Sequence, residues 1–169
     1  FVPTQEPLDV WAQFKCIEYS GSIDGTGDQF HFLRWPYRWE KLLKNVKDIK
    51  EVCGANTHFK IEHTFTPLNI FYLDQMMGFI TSTMGSNRFG QMTDFRMHRC
   101  FKSKLDLEYT PTKLRHVVYE KYGQQHKVSK LLQNTPTTEN NALMPYLDAI
   151  SKARKLNWRT IFKDIEQYF

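Results

Sequence analysis

Hydrophobic and polar residues alternate most strictly in the segment HFKIEHTFT. Phe59, Ile61, His63 and Phe65 fall on one side of this alternation, with polar residues between them. Because successive side chains of a β-strand point to opposite faces of a sheet, the period of two predicts a strand over residues 58–65.

A second clear pattern follows Trp39, where apolar residues recur at spacings of three and four. This spacing predicts a helix over residues 39–52 with one buried stripe, and lysines occupy most of its remaining faces. Gly54 is a natural end for that helix. The apolar residues of the stripe are Leu42, Leu43, Val46 and Ile49.

Shorter patterns complete an alternation of helices and strands. We predict a helix over residues 6–14, a strand over 16–23, a helix from Pro67 with Thr66 as its N-cap, and a weaker strand over 91–97. This order predicts an α/β fold in which crossover helices join parallel strands. Ligands of such sheets bind at the carboxyl ends of the strands.

The pattern changes after Cys100, and the remainder is predicted to be mainly helical. The segment KLDLEYT predicts a short strand, and a helix is expected from Pro111, capped by Thr110, to Gly123. Residues 133–141 are polar and predict a loop. Two further helices are expected in ALMPYLDAISKARKLNW and RTIFKDIEQYF.

Composition narrows the functional classes. The chain has 169 residues, of which 41% are apolar, so it is long enough for a packed core. Its formal charge of +5 comes from 23 basic and 18 acidic residues that are interspersed, so nucleic-acid binding is not indicated. No apolar run is long enough to span a bilayer, and we expect no membrane partner.

The cysteines indicate a compartment. Three of them lie far apart, without a CxxC pair, which suits the reducing cytoplasm and predicts that each is a small buried apolar residue. His98 and Cys100 share one face of a predicted strand, but two ligands are too few for a closed metal site. The chain begins at Phe1 rather than at a methionine, and we expect it to be a piece of a longer protein.

The segment SIDGTG follows the first predicted strand and has two interpretations. In one, Asp24 stabilises a turn through its side chain, and Gly25 adopts a positive φ. In the other, Ser22, Asp24 and Arg34 form a ligand site at the carboxyl end of the strand. Arg34 would pair with a carboxylate, and the other two would contact an amine or a hydroxyl. Such a set suits a zwitterionic, amino-acid-like ligand.

The segment SIDGTGDQFHFLRWPYRWEKLLKNVKDIK resembles the middle of radical S-adenosylmethionine (SAM) enzymes that carry a twitch-type C-terminal extension. Further on, TFTPLNIFYLDQMMGFI and YLDAISKARKLNWRTIFKDI resemble a strand-to-helix unit and the closing segment of that family. The matching positions are Ser22, Ile23, Asp24, Gly25, Gly27, Phe32, Leu33, Arg34, Trp39, Leu42, Asn45, Val46, Leu68, Asn69 and Ile70.

The resemblance implies an architecture and a chemistry. Residues 1–100 would be the C-terminal half of a partial (β/α) barrel, and residues 101–169 a twitch-like helical extension. In the family, a 4Fe–4S cluster held by a CxxxCxxC loop reductively cleaves SAM, and the resulting radical abstracts hydrogen from a peptide or small-molecule substrate. An electron donor such as flavodoxin or ferredoxin would be the protein partner.

The same resemblance implies roles for the site residues. Ser22 and Arg34 are expected to contact SAM, and Asp24 to contact either SAM or the substrate. The CxxxCxxC motif is absent from this sequence, so we expect an extension of roughly a hundred residues before Phe1 that contains it.

Two other classes stay open. A non-catalytic α/β interaction domain fits the basic charge and the aromatic content, and it predicts partner binding without a response to SAM. A nucleotide-binding α/β enzyme of another family fits the alternation of elements, although the chain lacks a glycine-rich phosphate loop after its first strand.

Overall fold

A computed structural model describes residues 5–85, 90, 92–138 and 142–169. The fold is α/β, with a three-stranded parallel sheet and about 55% helix. Its strands are β1 (Ile17–Ser22), β2 (Thr57–Phe65) and β3 (Asp94–Arg99). Its helices are α1 (Gln5–Trp11), α2 (Gly27–Leu33), α3 (Trp39–Cys53), α4 (Leu73–Phe79), α5 (Thr112–Tyr122), α6 (Lys127–Gln133), α7 (Leu143–Arg154) and α8 (Trp158–Ile161).

The sheet has the strand order β1-β2-β3. The first two strands pair in parallel, in a register that runs from Ile17 opposite Thr57 to Ser22 opposite Glu62. The parallel arrangement predicted from the alternation of elements is therefore confirmed. It places the carboxyl ends of β1 and β2 at the same edge of the sheet.

Strand β2 has the burial that its sequence predicts. Phe59, Ile61, His63 and Phe65 are all less than 5% exposed, and the residues between them are partly exposed. The third strand covers residues 94–99 and is therefore displaced from the predicted range 91–97. Residue 91 itself lies outside the described residues.

Helix α3 confirms the predicted stripe. Val46 and Ile49 are 1% and 0% exposed, and Leu42 and Leu43 are partly buried. The four lysines of the helix are exposed. The helix ends at Gly54, whose φ of 55° is one that side-chain-bearing residues rarely adopt. The apolar stripe, rather than local propensity, thus sets the extent and the orientation of this helix.

The chain forms two compact units, one of residues 1–63 and 74–97, the other of residues 64–73 and 98–169. The first contains α3, most of the sheet and the residues considered below as a site. One continuous core holds it together, formed by Leu8, Ile23, Phe30, Val46, Ile49, Cys53, Phe59, Ile61, Met76, Phe79, Ile80 and Met84.

The second unit is mainly helical and is organised around a buried arginine. The guanidinium of Arg115, a residue only 5% exposed, donates five hydrogen bonds of 2.8 to 3.1 Å. All five acceptors are backbone carbonyls in the turns around α5 and α6, at Leu107, Thr110, Leu132, Thr135 and Pro136. One side chain therefore joins five carbonyls of these turns, of which those of Leu107 and Leu132 also accept a main-chain amide.

Three predicted elements are wrong. The helix expected from Pro67 begins only at Leu73, because the Asn69 side chain accepts a hydrogen bond from the Thr66 amide and holds the chain in a turn. The segment KLDLEYT is a 3₁₀ turn capped by the Asp106 carboxylate rather than a strand. The closing segment is helical only over α8, followed by turns and a short 3₁₀ helix, Glu166–Tyr168.

In the described part of the chain, no helix combines the length and the apolar character that crossing a bilayer requires.

Candidate functional site

The segment after β1 brings Asp24 and Arg34 together. The Nε of Arg34 lies 2.6 Å from a carboxylate oxygen of Asp24, and their side chains are 31% and 10% exposed. The connection between them is α2, a two-turn helix that the sequence analysis did not predict. This helix turns the chain back, so that a residue ten positions downstream meets the end of the strand.

Gly25 is required for a different reason from the one expected. Its φ is not positive; the positive φ belongs to Gly27 instead. A Cβ atom added to Gly25 would lie 2.9 Å from the Cβ of Gln29. The prediction of a turn with Gly25 in the left-handed region is therefore wrong, and the glycine instead permits the first turn of α2 to pack closely against the strand end.

Ser22 and Arg34 line the same cleft, which has a volume of about 460 Å³. Ser22 is exposed at the end of β1. The volume is within the range of roughly 300–1,000 Å³ that is usual for small-molecule sites. The cleft is lined by residues 19–23 of β1 and its end, and by residues from α2, α3 and the segment that joins them: Phe30, Arg34, Tyr37, Arg38, Lys41, Leu42 and Asn45.

The sequence analysis assigned no role to several of these residues. Arg38 and Lys41 add positive charge to the cleft, and Tyr37 adds an aromatic ring that is 59% exposed. Asn45 is a polar residue on the buried side of α3 and is only 6% exposed. In the sequence, Asn45 stands out only as one of the positions that resemble the radical SAM family. A polar amide among the apolar residues of the α3 stripe is the feature from which a role for Asn45 could have been predicted.

His63 lies behind the site and was also missed. Its Nδ1 is 2.7 Å from the carbonyl oxygen of Ile23, so this nitrogen carries the proton and donates it to the carbonyl. Burial lowers the pKa of His63 below its ordinary value of 6.5; the negative charge of Asp24 acts in the opposite direction, and the positive charge of Arg34 lowers the pKa further. His63 is therefore mainly neutral at pH 7 and supports the strand end from inside.

The described residues do not fit an iron–sulfur cluster. No group of three or more His, Cys, Asp or Glu side chains among them is arranged to hold a metal ion. Cys53 is buried as predicted, Cys100 is partly exposed, and Cys16 is exposed, so the prediction that all three are buried is wrong. Cys16 lies directly before the first residue of β1.

Comparison of the chain with protein-family models, with curated proteins and with solved structures found no match. The interpretation of the site therefore depends on its own geometry. Within the described residues, the contact with Asp24 is the one ion pair of Arg34; it is made by the Nε and does not involve the two terminal nitrogens of the guanidinium. These nitrogens form the planar fork that matches a carboxylate.

Proposed function

We propose that this chain is part of a radical SAM enzyme, and that the carboxyl end of β1 binds SAM. The observation that supports this most strongly is the position of Arg34, whose guanidinium is tied to Asp24 at the end of a parallel strand and lines a cleft. A positioned guanidinium beside a hydroxyl-bearing residue matches a ligand that carries both an amino-acid group and a ribose.

Each residue has a role in this proposal. Arg34 binds the carboxylate of SAM through its terminal nitrogens, and the ion pair with Asp24 keeps the guanidinium near the strand end. Ser22 offers one donor and two acceptor positions to the amine or the ribose. Asp24 also remains the candidate for a direct contact with SAM or the substrate.

The wider proposal follows the family resemblance. The three strands belong to a partial (β/α) barrel, with residues 1–100 in the barrel and 101–169 in a twitch-like extension. The 4Fe–4S cluster, which would supply the electron that cleaves SAM, has its ligands outside this chain. A flavodoxin or ferredoxin in the cytoplasm would be the electron donor, and the substrate would be a peptide or a small molecule.

Calorimetric titration with three related ligands tests the site. SAM and S-adenosylhomocysteine carry the amino-acid group, whereas methylthioadenosine lacks it. We expect Arg34→Ala to weaken the first two by about tenfold or more, because a charge-assisted pair contributes about 1.5–3 kcal/mol. Binding of methylthioadenosine should not change. Ser22→Ala should weaken SAM by a smaller factor.

Arg159→Ala is the matched control, since Arg159 also pairs with an aspartate but lies in the second unit. It should leave all three affinities unchanged. If Arg34→Ala and Ser22→Ala both fold and bind SAM like the wild type, this segment is only a turn and the proposed site is wrong. If Arg34→Ala weakens methylthioadenosine as well, the arginine does not read the amino-acid group.

A further inference from the structure

The two units differ in charge, although basic and acidic residues are interspersed along the chain as a whole. The second unit, residues 64–73 and 98–169, contains 13 lysines and arginines and 7 aspartates and glutamates, a formal charge of +6. The first unit contains 10 basic and 11 acidic residues, a formal charge of −1. The excess positive charge of the protein therefore belongs to the second unit, to which a negatively charged partner would be attracted.

A loop of the second unit, residues 99–106 at the end of β3, is held in place by one buried carboxylate. Asp106 is only 4% exposed. One of its carboxylate oxygens accepts hydrogen bonds from the Nε and Nη2 of Arg99 at 3.0 and 2.8 Å, and the other accepts one from the amide of Lys102 at 3.0 Å. Lys102 has a φ of 51°, which is uncommon for a residue with a side chain. Contacts within the chain therefore determine the conformation of this loop, which we call the 99–106 loop.

The 99–106 loop presents an aromatic ring to solvent. Phe101 is 68% exposed, and among the described residues of the second unit it is the one large apolar side chain that is exposed. The guanidinium carbon of Arg99 lies 4.7 Å from the centroid of this ring, so the arginine that Asp106 holds also supports the ring. Because the ring is already supported, a planar ligand that stacks on it orders the side chain at little additional entropy cost.

Two lysines of the same loop have no counter-charge. Lys102 and Lys104 are exposed, and neither side chain pairs with a carboxylate in the part of the chain that the structure describes. The Nζ of Lys104 lies 5.2 Å from the centroid of the Tyr146 ring on α7. Arg99, in contrast, pairs with Asp106. The loop therefore offers two uncompensated positive charges within three residues of an exposed aromatic ring.

We propose that the 99–106 loop binds a single-stranded nucleic acid, with a base stacked on Phe101 and phosphates at Lys102 and Lys104. Proteins that bind single strands combine cations that follow the backbone with aromatic rings on which bases stack. A membrane surface fits less well, because a helix or loop that inserts into lipid exposes several apolar side chains, whereas the described residues of the second unit expose only Phe101.

This inference concerns an interaction surface and attaches no chemical step to it. It does not depend on the proposed SAM site, because the residues that support it belong to the second unit, whereas Ser22, Asp24 and Arg34 belong to the first. Failure of one proposal therefore leaves the other standing.

Fluorescence anisotropy with the full chain tests the stacking of a base. The ligands are a labelled thymidine dodecamer and a dodecamer of abasic nucleotides, which carries the same phosphates without bases. We expect the thymidine strand to bind at least about fivefold more tightly, because stacking of one base contributes about 1 kcal/mol or more. Phe101→Leu keeps an apolar side chain without a ring and should remove this difference, whereas Phe101→Trp should retain it. A uridine dodecamer should show the same loss in Phe101→Leu, because every base has a face that can stack.

The salt dependence of binding tests the two lysines. In the double variant Lys102→Gln, Lys104→Gln, the slope of log affinity against log salt concentration should become shallower by about 1.4, since each phosphate contact with a single strand contributes about 0.7. The double variant Lys127→Gln, Lys130→Gln on α6 is the matched control, because it removes two exposed lysines of the same unit outside the loop. The control should keep the wild-type slope.

Circular dichroism verifies the fold of each variant, and Phe101→Met replaces Phe101→Leu if the latter is unfolded. The proposal is overturned if the wild type binds the abasic strand as tightly as the thymidine strand, or if the leucine variant retains the preference for bases. It is also overturned if the α6 control changes the salt slope as much as the loop variant does. Tighter binding to vesicles of phosphatidylserine and phosphatidylcholine than to any strand would identify a membrane surface instead.

Discussion

The ion pair between Asp24 and Arg34 can be tested by removing either partner while keeping its shape. Asp24→Asn keeps an oxygen acceptor and leaves a guanidinium that is 31% exposed, so water still reaches the charge. Arg34→Gln leaves a carboxylate that is only 10% exposed and has lost this cation. Because the less exposed charge is the more costly one to leave without its counter-charge, we expect the arginine substitution to be the more destabilising.

The exposed fractions of the two side chains determine how much unfolding free energy each substitution should cost. Exposed pairs contribute at most about 1 kcal/mol, and loss of one partner of a fully buried pair costs about 3–5 kcal/mol. For this half-buried pair we expect about 1 kcal/mol for Asp24→Asn and about 2 kcal/mol for Arg34→Gln. The double variant should lose less than the sum of the two, with a coupling energy of about 1 kcal/mol.

Urea unfolding of the wild type, both single variants and the double variant at pH 7 gives the coupling energy. The pair Lys44–Asp48 on α3 is the control cycle, because its lysine is 72% exposed and its coupling should be only about 0.3–0.5 kcal/mol. A coupling between Asp24 and Arg34 no larger than that of the control would refute the claim that the strand end fixes the guanidinium.

Three further predictions concern single positions. Gly25→Ala should lower the free energy of unfolding by about 1–3 kcal/mol in urea titrations, because the new methyl group would overlap the Cβ of Gln29. Arg115→Met should cost more than about 3 kcal/mol, or prevent folding, because five carbonyls lose the guanidinium and only those of Leu107 and Leu132 keep a main-chain donor among the described residues; a change below 1 kcal/mol would contradict this. The wild type should lose stability as pH falls below about 6.5, since the unfolded chain takes up a proton at the ordinary pKa of His63 and the folded chain only at its lowered pKa. The variant His63→Asn can still donate to the Ile23 carbonyl and should no longer lose stability below pH 6.5. If its stability depends on pH as that of the wild type does, His63 is not the group responsible.

Regular periodicity accounts for the part of the fold that could be predicted. Strand β2 and helix α3 bury one face each, and burial of that face decides both their type and their extent. The parallel order follows from their alternation, because a helix between two strands reverses the chain before the next strand begins. These inferences need only the spacing of apolar residues along the chain and the rule that strands joined by a crossover helix pair in parallel.

Helix α2 and the contacts at the site could not be predicted in this way. The segment GDQFHFL is too short to show a period, and both its polar and its apolar residues are buried. The sequence predicts a turn at Gly25 because glycine is common in turns, whereas the structure constrains this residue by its close approach to Gln29 of α2.

Because Asp24 is paired with Arg34, a substitution of Asp24 can change ligand affinity through the arginine. An arginine side chain loses up to about 2 kcal/mol of rotamer entropy when a ligand orders it. In this protein the ion pair with Asp24 restricts the guanidinium before any ligand arrives, so part of that entropy cost is already met in the folded protein. An effect of Asp24→Asn on ligand affinity therefore does not require contact between Asp24 and the ligand. The two mechanisms differ in the double variant, since a carboxylate that acts only through Arg34 has no further effect once the arginine is removed, whereas a carboxylate that contacts the ligand does.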